Sequence, residues 1–199
     1  IATWAVLERV GDLGDINDGG EKEKQKSKLV TVISTHFDHV GVEARKNSAN
    51  LIKELVTRLK NSYPNSAAVL CGDFNSIKVD NDVYECLTMG EGALVDAWNT
   101  AEVKVDGGWK RSTMHKFQGL EFDGCMGDGT VELCAVNVDL DQDKKPSDGT
   151  EHIDWILLSN PKSGSPSLKT IKSQVYTDAL PSGRYPSDHF PVGAELAFE

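Results

Sequence analysis

Four places in this chain set acids, amides or imidazoles at the ends of strand-like runs: His36, the pair Asp73 and Asn75, Asp154, and the pair Asp188 and His189. The second lies in Ala67–Ser76, read Ala-Ala-Val-Leu-Cys-Gly-Asp-Phe-Asn-Ser: a short apolar strand, a glycine, then a carboxylate and an amide. In extended backbone, residues 73 and 75 share a face and Phe74 points the other way, toward a core. An acceptor and a donor/acceptor then sit together at a strand's C-terminal mouth, where a metal, a water or a phosphate could be held. An ordinary Asp-x-Asn turn after a strand uses the same residues. Asp154 is harder to explain as a turn. It lies within His-Ile-Asp-Trp-Ile-Leu-Leu-Ser, residues 152–159, and an unpaired carboxylate buried there would cost several kcal/mol. Such a group needs a partner, and histidine suits it, because the carboxylate fixes the imidazole tautomer and raises its basicity. A single strand-end histidine such as His36 is more often a packed or surface residue.

The elements that must position these groups follow from periodicity. Residues 3–10 alternate as a strand, and Gly11–Lys28 is a long polar connection to a second hairpin strand, its mixed Glu/Lys run read as a solvated loop. Leu29–Thr35, Leu-Val-Thr-Val-Ile-Ser-Thr, is β-branched and continuous, as expected of a strand covered on both faces. A helix follows from about Glu43, with Leu51, Ile52, Leu55, Val56 and Leu59 as its apolar stripe. With the 67–71 strand this makes a strand–helix–strand crossover. Val83–Met89 reads as a short helix capped near Asp80 or Asn81, and Ala93–Trp98 is an ambiguous apolar piece. Residues 99–130 are Gly-rich and irregular; Val131–Val138, 152–159, 169–176 and 192–198 are strand-like.

The chain has 199 residues, enough for one domain with a core. Its formal net charge of -10 argues against sequence-blind duplex binding, which relies on Lys and Arg, but leaves room for a phosphate site whose positive charge is a bound cation. No apolar run approaches the ~20 residues of a membrane helix, and no signal peptide is visible. The cysteines, 71, 86, 125 and 134, form no CxxC pair, so zinc is not expected. Cys71 is read as a core thiol, and Cys125 and Cys134 could pair.

Gly72-Asp73-Phe74-Asn75, His152-Ile153-Asp154-Trp155 and Ser187-Asp188-His189-Phe190-Pro191-Val192 resemble successive motifs of the endonuclease/exonuclease/phosphatase superfamily, the deoxyribonuclease-I-like enzymes. Ser34–His39 and His115-Lys116-Phe117-Gln118-Gly119 are similar to further motifs of its bacterial-type hydrolases. The resemblance runs from about Thr3 to Leu196 and implies an α/β fold, the four-layer α/β/β/α sandwich. It also implies Mg²⁺- or Mn²⁺-dependent phosphoester hydrolysis. By position, His36, Asp73, Asn75, Asp154 and His189 would be catalytic, and Asp73, Asn75, Asp188 and His189 would surround the metal. His189 would be the base or the phosphate-side imidazole, oriented by Asp154; Asp73 would position or deprotonate the water; His36 would donate to a phosphate oxygen. The chemistry needs a cation to offset charge and a base to activate water.

Family members open with an early Asn and a metal-binding Glu, and neither motif precedes the strand at residues 3–10. The expectation is therefore one domain over residues 1–199, partial at its N-terminus and lacking much of the first half, with loop insertions at 11–28 and 120–151. A phosphodiesterase acting on nucleic acid or on a phospholipid or inositol phosphate head group is expected, as a monomer. The alternative is a catalytically impaired partial domain that serves as an interaction module.

Overall fold

The computed structural model describes residues 1–8, 28–79, 81–107, 109, 112–122, 126–127, 132–133, 149–159 and 166–199. Residues 11–27 of the expected connection over 11–28, most of the 120–151 insertion, and Cys125 and Cys134 lie outside the described residues; of the strand expected at Val131–Val138, only 132–133 are described.

The strands are β1 (Ala2–Glu8), β2 (Leu29–His36), β3 (Ser66–Asp73), β4 (Leu94–Asp96), β5 (Val103–Val105), β6 (Met126–Gly127), β7 (Glu132–Leu133), β8 (Asp154–Ser159), β9 (Leu168–Val175) and β10 (Val192–Phe198). The helices are α1 (Val42–Ser62), α2 (Asp82–Thr88) and α3 (Ala97–Thr100). One sheet has the order β1-β2-β3-β8-β4 and a second the order β10-β9-β5. The β2–α1–β3 crossover makes β2 and β3 parallel; β8 enters antiparallel to β3.

Strand alternation divides the core into two sides. Leu70, Trp155 and Leu157 pack with Ile52, Val56 and Leu59 of α1 and Leu87 of α2. Their neighbours Val69, Ile156 and Leu158 pack against Leu168, Ala194 and Leu196 of the second sheet. A helical layer, a mixed sheet and a second sheet are thus stacked, which is an α/β arrangement. Among the described residues, no helix is long and apolar enough to cross a membrane.

Several local expectations shift. On α1 the buried register is Arg45, Ala49, Ile52, Val56 and Leu59, spaced by four and three, and Leu51 is exposed. A purely apolar stripe overlooks Arg45, whose guanidinium is buried and donates to the Asp38 carbonyl. On β2, Thr31, Ile33 and Thr35 are buried while Ser34 is exposed, so the strand is not fully covered on its second face. The ambiguous piece at 93–98 splits: β4 ends at Asp96, whose side chain accepts from Trp98 N–H at 2.8 Å and caps α3. Asn81 caps α2 through Val83 N–H. Cys71 is half-buried, and burial raises its thiol pKa.

Candidate active site

Register alone brings three of the four clusters together. Parallel pairing sets His36 beside Asp73, and antiparallel pairing sets Asp154 directly opposite Asp73. The ends of β2 and β3 and the start of β8 therefore share one rim. The fourth cluster arrives from the segment before β10, where Met114 and His189 form a bridge and Phe190 N–H bonds the Thr113 carbonyl. His189 Nδ1 lies 2.9 Å from Asp154 Oδ2. The Thr113 hydroxyl donates to the same Oδ2 at 2.5 Å and accepts from the N–H groups of Ile153 and Asp154 at 3.3 and 3.2 Å.

Asp73 and Asn75 do meet, though not by alternation. β3 ends at Asp73 and Asn75 has φ +46°, so the backbone leaves the strand. A turn joins them instead: Asn75 N–H donates to Asp73 Oδ1 at 2.7 Å, and Asn75 Nδ2 donates to Asp73 Oδ2 and to the Phe37 carbonyl. Both side-chain bonds use Nδ2, which leaves Oδ1 for a ligand. Phe74 is fully buried, stacked on Trp155. His36 is mostly exposed, with Nε2 3.4 Å from Asp73 Oδ2.

Burial pushes the Asp73 carboxyl up from its ordinary pKa, and the charge of Asp154 adds to this against the opposing Asn75 N–H. Burial alone would lower His189, but its bond to Asp154 and the charges of Asp154, Asp73 and Asp188 outweigh it, so its pKa rises. Donor atoms of Asp73, Asp154 and His189 all lie within 4.8 Å of one another, close enough to hold one metal ion. Asp188 falls outside that group; its backbone carbonyl accepts from His115 and Lys116 N–H.

No protein-family model matches the chain. It is 27% identical over 97% of its length to a probable CCR4-Not complex 3'-5'-exoribonuclease subunit of Encephalitozoon cuniculi. A solved endonuclease/exonuclease/phosphatase family protein of Bacteroides thetaiotaomicron is similar to it with TM-score 0.59 and 25% identity over 87% of this chain. In sequence and in fold the chain is similar to the endonuclease/exonuclease/phosphatase superfamily. A mannosyl-6-phosphatase of the same bacterium is similar with TM-score 0.58 and 25% identity over 86% of the chain. The chain spans 36% of the length of the curated relative and 50–52% of those two solved chains.

The residues of the sequence motifs divide into those at the cluster and those beneath it. His36, Asp73, Asn75, Asp154 and His189 share the rim. Within the His115–Gly119 motif, His115 is fully buried, stacked on Phe190 at 3.9 Å, and its Nδ1 accepts from Gly119 N–H. Thr113 was not singled out in the sequence, and its only signal there is its place two residues before His115. Thr113→Val strips the hydroxyl from Asp154 and leaves two N–H groups without it. Stability is expected to fall by about 1–3 kcal/mol, read by thermal melting.

His152, two residues before Asp154, lies outside the cluster. It is buried edge-on against Trp98, and burial together with repulsion from Lys78 lowers its pKa to about 4. The unfolded chain protonates this imidazole near the ordinary histidine value of 6.5, whereas the folded chain keeps it neutral to about 4. Unfolded protein thus binds the extra proton in that window, and stability falls as pH drops through it. Relative to His152→Leu, wild-type protein should lose about 3 kcal/mol between pH 7 and pH 4, measured by denaturant melts.

Proposed function

We propose that this chain carries the reaction centre of a divalent-metal-dependent phosphoesterase that hydrolyses a phosphodiester. The meeting of Asp73, Asp154 and His189 from three separate segments carries the reading. The donor set suits a hard cation: carboxylate and amide oxygens, with two facing carboxylates whose repulsion is already expressed in the raised pKa of Asp73. Asp73 and Asn75 would hold the ion, beside Asp154 and His189. Bound there, it supplies positive charge for the phosphoryl oxygens.

The chain's own residues account for the rest. Asp154, held by Thr113, accepts from Nδ1–H of His189 and fixes the ring in the tautomer whose Nε2 takes a proton from water. Asp188 acts as a nearby negative charge on His189. His36, exposed at the rim, donates to a phosphate oxygen. The substrate is a nucleic-acid, phospholipid or inositol phosphate ester. The four-layer sandwich belongs to the same reading: the outer edge strand β1, with Trp4 and Leu7 about half exposed, meets a first half for which the longer relatives have room.

The test is hydrolysis of bis-p-nitrophenyl phosphate by the whole protein. Turnover should require Mg²⁺ or Mn²⁺, stop with chelator, and fall at least about 100-fold in Asp73→Asn. Metal-independent or absent turnover in the full-length protein overturns the reading and favours the interaction module.

A further inference from the structure

Lys78 is a lysine in a place lysines seldom occupy. Its side chain is 5% exposed and its Nζ lies 2.7 Å from Asp96 Oδ2, itself 3% exposed. Asp96 is fixed independently: it accepts the Tyr84 hydroxyl at 2.9 Å and Trp98 N–H at 2.8 Å. The ammonium is therefore tied to a carboxylate that already has a set place at the cap of α3.

What the pair ties down lies beside the rim. Residues 74–78 run antiparallel to 150–153, joined by Phe74 N–H to the Ile153 carbonyl and Lys78 N–H to the Thr150 carbonyl, both at 2.9 Å. The first strip follows Asp73 and contains Asn75, and the second leads into Asp154. A buried ion pair is weak support for stability, since a well-packed apolar pair of similar size is often as stable, whereas removing one partner strands a charge. Its directional geometry, by contrast, fixes where the lysine backbone can lie.

We infer that Lys78 and Asp96 are positioning residues: the pair holds the 74–78 strip in register against 150–153 and so sets Asn75 and Asp154 relative to each other. The inference rests on the phosphoesterase reading for its catalytic consequence, but not for its structural one.

The experiment uses Lys78→Met, Asp96→Asn and the double variant Lys78→Met/Asp96→Asn in the whole protein. Each single variant leaves a buried polar or charged group mismatched and should melt earlier. The double variant leaves no lone charge; its asparagine Oδ1 still accepts from Trp98 N–H and its Nδ2 donates to the Tyr84 hydroxyl, so most of the melting temperature should return. If the pair positions the strip, amide hydrogen exchange at positions 74 and 78 stays at least about tenfold faster in the folded double variant, with kcat depressed about tenfold and KM within about twofold. Wild-type protection at both amides in the folded double variant overturns the inference, whatever the substrate. Loss of protection in a chain whose wild type turns over no phosphodiester supports the positioning and overturns the phosphoesterase reading alone.

Discussion

His189→Ala is expected to lower phosphodiester turnover by about 10²–10⁴-fold while leaving the melting temperature within a few degrees of wild type. The two halves of this result have separate causes. The imidazole reaches the rim through Asp154 at 2.9 Å, and nothing else in the Asp73–Asp154–His189 group offers a ring nitrogen. Its backbone, however, is held without the side chain, by the bridge to Met114 and by His189 N–H on the Ser187 hydroxyl. Asp154 also keeps its bond from Thr113. Removing the ring therefore empties a reactive position in a framework that survives. Added imidazole should restore part of the turnover in His189→Ala, a recovery that a merely structural histidine does not give. Turnover within threefold of wild type would remove His189 from the chemistry and leave Asp73 as the base.

The sequence disclosed the rim better than the props. Asp154 demanded a partner because a carboxylate among Ile153, Trp155 and Ile156 is too costly alone, and the structure sets His189 against it. The strand ends were legible because β-branched runs stop at identifiable residues. Thr113 was not, because it lies in an irregular segment where no period marks a buried hydroxyl. Lys78 was not, because a charged residue after a turn reads as surface, and only its distance to Asp96 says otherwise. Arg45 hid for the same reason on α1, whose buried register leaves the expected Leu51 exposed. Asn75 was found by its spacing, but the extended geometry assumed for it was wrong: at φ +46° it is the turn, not the strand, that turns its amide toward Asp73. Patterns of hydrophobicity thus locate elements, whereas polar groups that satisfy one another across the chain are visible only when the chain is folded.

Gly72→Ala should cost roughly 4 kcal/mol or more. Gly72 has φ +149°, a region that side-chain-bearing residues avoid, and it sits directly across from Thr35 in the parallel β2–β3 pairing. A methyl group there overlaps the Thr35 carbonyl oxygen and comes within 2.8 Å of its carbon and 3.0 Å of the Thr35 nitrogen. Those atoms are backbone and cannot rotate aside. Relief would require β2 and β3 to part where they set His36 beside Asp73, so the damage falls on the fold and the rim together. Gly90→Ala separates the two contributions: Gly90 also has positive φ, +73°, but nothing lies within 4 Å of the added methyl. That variant should lose only about 1 kcal/mol. With total stability on the order of 5–15 kcal/mol, Gly72→Ala should leave little folded protein at 37 °C and Gly90→Ala should stay folded, as read by thermal melts of both. Equal melting temperatures would mean that the close approach of the two strands at Gly72 is not what fixes the rim.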